Sequence, residues 1–119
     1  MISLYTTIFN LQNFDFNLKE VFSNWFYYVD EVVISTLESQ SEEIKKELDK
    51  TTFSDSVKIV STDLDPDKDL YWDGKLKNAG LKACSFNSVI QVDLDERISG
   101  SKHRLKELAE ELNRHDFPC

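Results

Sequence analysis

The chain has 119 residues, a net charge of −8, 40% hydrophobic and 12% aromatic residues, and only three glycines and two prolines; this describes one globular domain with enough apolar side chains for a core. Such acidity excludes the basic footprint of a general nucleic-acid binder and docking on an anionic membrane surface. No apolar run approaches the roughly 18 residues of a membrane span, no positively charged leader precedes an apolar stretch, and Cys84 and Cys119 lack CxxC spacing, so the expected setting is a reducing cytoplasm without disulfide framework or zinc site.

Residues 2–9 are a near-continuous apolar and β-branched run, the pattern of a strand buried on both faces. Leu18, Val21, Phe22, Trp25, Phe26 and Val29 then recur at spacings of three and four, which predicts an amphipathic helix with Asn17 as N-cap and Glu20 completing a variant capping box. Trp25 and Phe26 read as core. Val32-Val33-Ile34 forms the second strand. Ser39 followed by Glu42 opens a second helix, mostly charged, with Ile44 and Leu48 as its apolar positions. Residues 57–60 form the third strand, residues 70–84 the third helix and residues 89–92 the fourth strand. Leu105, Leu108, Ala109 and Leu112 mark a last helix, capped by Ser99 or Ser101. Strands alternating with helices imply βαβ units, a mostly parallel sheet and right-handed crossovers. The expected architecture is a Rossmann-like three-layer α/β domain of about four strands in the order 3-2-1-4. Ligands of open α/β sheets bind beyond the strands' carboxyl ends where the order reverses, here between the first and fourth strands.

Asp93 and Asp95 stand directly after the fourth strand, at that switch point. In extended chain, residues i and i+2 project to one side, so the two carboxylates form a pair suited to a hard cation, Mn²⁺ or Mg²⁺, whose remaining ligands come from a diphosphate. A solvated acidic turn is the bland reading of the same residues; the position after an apolar strand at the switch point favours the metal site. The other acidic run, Asp63, Asp65, Asp67, Asp69 and Asp73, fails as a calcium loop. Lys68 stands where the loop needs glycine, Gly74 where it needs glutamate, and Pro66 interrupts it. It reads instead as a solvated loop before the third helix.

Lys75 and Asn78, three apart, share one face of that helix; a lysine there could balance a phosphate, and an ordinary surface lysine is the bland reading. Tyr71 and Trp72 at the loop's mouth read as packing residues, and His103 and His115 as surface residues. No glycine-rich phosphate loop and no G-x-S-x-G occurs, and Thr6-Thr7-Ile8-Phe9-Asn10 follows the first strand where a dinucleotide dehydrogenase carries its glycines.

Four stretches in order resemble the N-terminal, nucleotide-sugar-binding half of the GT-A-fold glycosyltransferases of inverting family 2. They are residues 1–10; Val29-Asp30-Glu31-Val32-Val33-Ile34; Asp73-Gly74-Lys75-Leu76-Lys77-Asn78-Ala79-Gly80-Leu81; and Asp93-Leu94-Asp95-Glu96-Arg97, which is similar to the family's DADER metal motif. The resemblance implies that Asp93 and Asp95 hold Mn²⁺ or Mg²⁺ and, through it, the diphosphate of a nucleotide sugar, with a UDP-sugar favoured. It implies further nucleotide contacts from Thr6, Thr7, Lys75 and Asn78, alongside Asp93. Two departures accompany it. Ser35-Thr36-Leu37 stands where the family carries an acidic residue that reads the base, with Glu38 only nearby. The sequence also ends at residues 115–119, HDFPC, where the acceptor half with its general base would begin. Sugar transfer would then need a partner chain or a homodimer to complete the site. The alternative is a non-catalytic α/β interaction domain that keeps the sheet and has lost the chemistry. A receiver-like phosphotransfer domain fits less well, because Thr6-Thr7 replaces the acidic pair expected after the first strand.

Overall fold

The computed structural model describes residues 1–9 and 17–114, with residues 112–114 by backbone only; Asn10, His115 and Cys119 lie outside the described residues. The elements run β1 (Ile2–Ile8), α1 (Leu18–Tyr28), β2 (Glu31–Leu37), a single 3-10 turn (Glu38–Gln40), α2 (Ser41–Asp49), β3 (Val57–Thr62), α3 (Trp72–Ala83), β4 (Ser88–Gln91) and α4 (Lys102–Arg114). All four strands are parallel, in the order β3-β2-β1-β4. In register, Leu4 lies between Val32 and Ile90, and Tyr5 between Val33 and Gln91.

Handedness accounts for the layers. The crossovers from β1 to β2 and from β2 to β3 step in one direction, so right-handed connections put α1 and α2 on one face. The return across the sheet from β3 to β4 reverses direction and sends α3 to the other. The main core lies on the first face, where Ile2, Leu4, Ile8, Val32 and Ile34 pack with Val21, Phe22 and Trp25 of α1, Ile44 and Leu48 of α2, and Ala109 of α4. On the second face α3 lies close against the sheet: a Cβ added at Gly80 would stand 2.8 Å from Cδ2 of Tyr5 and 3.2 Å from Cβ of Ser35. Gly80 is therefore what lets this helix approach β1 and β2.

Several boundaries differ from expectation, each for a local reason. Asn17 caps α1 as read, accepting from the backbone N–H groups of Lys19 (3.1 Å) and Glu20 (3.4 Å). Ser101 caps α4, accepting from the Arg104 N–H at 3.2 Å. Ser39, by contrast, sits inside the 3-10 turn and α2 begins at Ser41, whose hydroxyl donates to the Glu38 carbonyl. α3 begins at Trp72 rather than residue 70, because the Asp69 carboxylate accepts from the Tyr71 N–H and holds the chain in a turn up to that point. β4 ends at Gln91. Among the described residues no helix is long and apolar enough to cross a membrane.

Candidate functional site

The chain leaves β4 through Val92, whose N–H still donates to the Tyr5 carbonyl at 3.2 Å, and then turns at once. The Glu96 N–H donates to the Asp93 carbonyl at 2.9 Å, and the Glu96 side chain accepts from the Asp93 N–H at 2.8 Å. Asp93 and Asp95 thus stand in a tight turn, not in the extended strand that residue alternation supposes. They still line a common space, together with Leu94 between them, which is buried at 6% exposure and pins the turn to the core.

That space is a cavity of about 280 Å³ lined by Thr7, Phe9, Asp73, Lys77, Asp93 and Asp95, at the carboxyl ends of β1 and β4. Among the described residues neither Asp93 nor Asp95 spends its carboxylate on an ion pair or hydrogen bond. Phe9 closes one side, standing edge-on to Trp72 at 4.9 Å. Lys77 stands 3.5 Å from Asp73, one helical turn apart.

The turn is held from beneath by α1. The Asn24 side chain accepts from the Ile98 N–H at 2.8 Å and donates to the Ile98 carbonyl at 2.9 Å. Trp25 Nε1 donates to the Glu96 carbonyl at 3.3 Å, and the Tyr28 hydroxyl to the Gly100 carbonyl at 3.0 Å. Three α1 residues at i, i+1 and i+4 therefore clamp residues 96–100. Sequence reading marked Trp25 only as core and passed over Asn24 and Tyr28. Asn24 stands at the flank of the apolar face, half-buried, where no residue pattern singles it out.

Thr6 and Thr7 part company, since adjacent residues of a strand face opposite sides. Thr7 lines the cavity. Thr6 is fully buried on the core face and does not line the aspartate cavity, and among the described residues its hydroxyl finds no hydrogen-bond partner; Thr36 on β2 is in the same condition. Lys75 and Asn78 line a neighbouring groove of about 450 Å³ with Tyr5, Tyr71, Gly74, Lys77 and Leu81. Lys77 belongs to both, so its side chain borders cavity and groove alike. Tyr71, expected to pack, is 75% exposed on the groove's rim, while Trp72 is half-buried against Phe9.

At the end of β2, the Ser35 hydroxyl donates to the Leu76 carbonyl at 2.6 Å, which commits it to holding α3. Glu38 is exposed in the 3-10 turn beyond it.

Of the two lysines in the groove, Lys75 is the more closely engaged. Its Nζ lies 2.6 Å from the Asp69 carboxylate. That hydrogen bond, with a second from the Tyr71 N–H, holds the Asp69 carboxyl below the usual aspartate range.

Among the described residues no group of three or more histidines, cysteines or carboxylates is arranged to hold a metal ion. Two uncommitted carboxylates on one cavity do fit a cation of the Mg²⁺ kind, which takes one or two protein carboxylates and completes its shell with water and phosphate oxygens. Comparison with family models, curated proteins and solved structures finds no match to this chain.

Proposed function

We propose that the crevice beyond β1 and β4 is the donor site of a glycosyltransferase-like domain, binding a nucleotide-diphospho-sugar, a UDP-sugar foremost, through Mn²⁺ or Mg²⁺. The observation that carries this reading is the gathering of Asp93, Asp95 and Thr7 around one cavity at the place where strand order reverses. Asp93 and Asp95 would hold the cation, which when bound neutralises charge on a departing nucleoside diphosphate. Thr7 offers a hydroxyl to a phosphate oxygen. Lys77 supplies positive charge between the cavity and the groove, and Lys75 and Asn78 extend the polar surface for the rest of the nucleotide. Sugar transfer also requires an acceptor site and a carboxylate base; the residues gathered here are assigned to the donor alone.

The competing reading, a scaffold without transferase chemistry, draws on Ser35. Its hydroxyl is spent on α3 at the place where the resembled family reads the base.

Calorimetric titration of UDP, GDP and CDP, with and without Mn²⁺, separates the two readings. The donor-site reading expects Mn²⁺-dependent binding that is lost on Asp93→Ala/Asp95→Ala. Absence of binding by every nucleotide in the presence of metal would leave the scaffold.

A further inference from the structure

Both cations of the groove are counterbalanced by carboxylates, one from the segment that leads into α3 and one from the first turn of α3 itself. Asp69 holds Lys75 at 2.6 Å and Asp73 stands 3.5 Å from Lys77. The first contact is built by the chain around it. The Asp65 carbonyl accepts from the N–H groups of Lys68 (3.0 Å) and Asp69 (2.9 Å), and the Asp65 carboxylate accepts from the Asp67 N–H. The second oxygen of Asp69 then accepts from the Tyr71 N–H at 3.1 Å. The loop's own hydrogen bonds thus present one oxygen of Asp69 to Lys75 as an anionic oxygen, which is the chemistry that a phosphate would offer the same ammonium.

We propose that Asp69 is a built-in competitor for ligand phosphate at Lys75. An anion entering the groove meets an ammonium whose charge this carboxylate already offsets and one of whose three N–H donors it occupies, so Lys75 holds the ligand more tightly once Asp69 lets go. The inference rests on Lys75 belonging to the nucleotide site. It adds a regulatory role for the 63–71 loop, whose Asp65 and Asp69 carboxylates also shape the turn before α3. Whatever neutralises or withdraws Asp69 opens the groove.

Asp67 supplies the control, being an exposed carboxylate of the same loop that makes no ion pair among the described residues. UDP with Mn²⁺ and, separately, inorganic pyrophosphate without metal are titrated into the wild-type chain, Asp69→Asn, Asp67→Asn, Lys75→Gln and Asp69→Asn/Lys75→Gln. Circular dichroism verifies the fold of each. Release of an exposed ion pair should tighten pyrophosphate binding about two- to fivefold in Asp69→Asn. The gain should be smaller in Asp67→Asn and absent when Lys75 is also replaced. Equal gains from the two aspartates, a gain that survives the loss of Lys75, or pyrophosphate binding to no variant would each overturn the competitor. If pyrophosphate follows the expected pattern while UDP with Mn²⁺ binds nowhere, the competitor stands and the donor-site reading falls.

Discussion

Leu94 joins the core and the cavity wall at once. Buried in the core cluster and lining the same cavity as Asp93 and Asp95, it anchors the turn that carries them, with the Glu96 carboxylate closing that turn from within. Glu31, at the opposite end of the sheet, is a carboxylate used for structure. It accepts from the Ser3 hydroxyl at 2.7 Å and from both the N–H and the hydroxyl of Ser85, tying the start of β2 to β1 and to the chain entering β4. Burial works to raise its pKa, but the hydrogen bonds from Ser85 and Ser3, together with the charge of Lys58, outweigh it and hold the carboxyl below 4.5. A folded-state value below the unfolded one stabilises the protein above the unfolded value, and that stability is lost as pH falls through the lower, folded value. The melting-temperature advantage of the wild-type chain over Glu31→Gln should therefore be full near neutrality and shrink as pH drops below about 4.5. A difference that stays constant down the acid limb would show that the bonds are made equally well by a neutral side chain.

At the scale of elements, two glycines of α3 give opposite expectations from the same substitution. Glycine inside a helix costs roughly 0.5–1 kcal/mol relative to alanine. An added Cβ at Gly74 meets nothing within 4 Å, so Gly74→Ala should stabilise the protein by about that amount. At Gly80 the added carbon would crowd the Tyr5 ring and the Ser35 Cβ, and overpacking of this kind costs about 1–3 kcal/mol. Gly80→Ala should therefore destabilise in urea titration, against its helix propensity, and should displace Tyr5 from the groove it lines. The capping residue of α1 is simpler. Asn17→Ala removes the acceptor for the Lys19 and Glu20 N–H groups and should cost about 1 kcal/mol; an unchanged urea midpoint would mean that water replaces the cap fully.

For the whole molecule, the decisive link joins residues far apart in sequence. Asn24 on α1 grips Ile98 through two hydrogen bonds, with Trp25 and Tyr28 beside it. The metal-binding candidates therefore stand on a turn whose far end is bolted to the core helix. Asn24→Ala should cost about 1–3 kcal/mol, since it leaves the Ile98 backbone groups without their partner. It should also weaken Mn²⁺-dependent UDP binding, because the turn bearing Asp93 and Asp95 loses its support. A ligand that binds only the folded state raises the melting temperature by mass action, so the shift produced by UDP and Mn²⁺ should be smaller in Asn24→Ala than in the wild-type chain. An equal shift in both would show that the aspartate turn keeps its shape without the clamp.

The alternation of strands and helices, the cap at Asn17 and the position of Asp93 and Asp95 after the fourth strand were legible in the residues taken in order, because local periodicity and capping are written in consecutive residues. The order 3-2-1-4 was the expected arrangement of four such units and is the one observed. Which polar side chains share a space was settled by packing. Thr6 and Thr7 look equivalent in sequence, yet the pleat buries one and presents the other. Lys75 and Asn78 lie on the expected helix face but in a groove beside the aspartate cavity, and Lys75 is already engaged by Asp69. The Asn24–Ile98 clamp spans more than half of the chain, and no local pattern carries it. Contacts of that kind arise only after burial has set the helices on the sheet, because burial decides which hydrogen-bonding groups are withdrawn from water and must find one another.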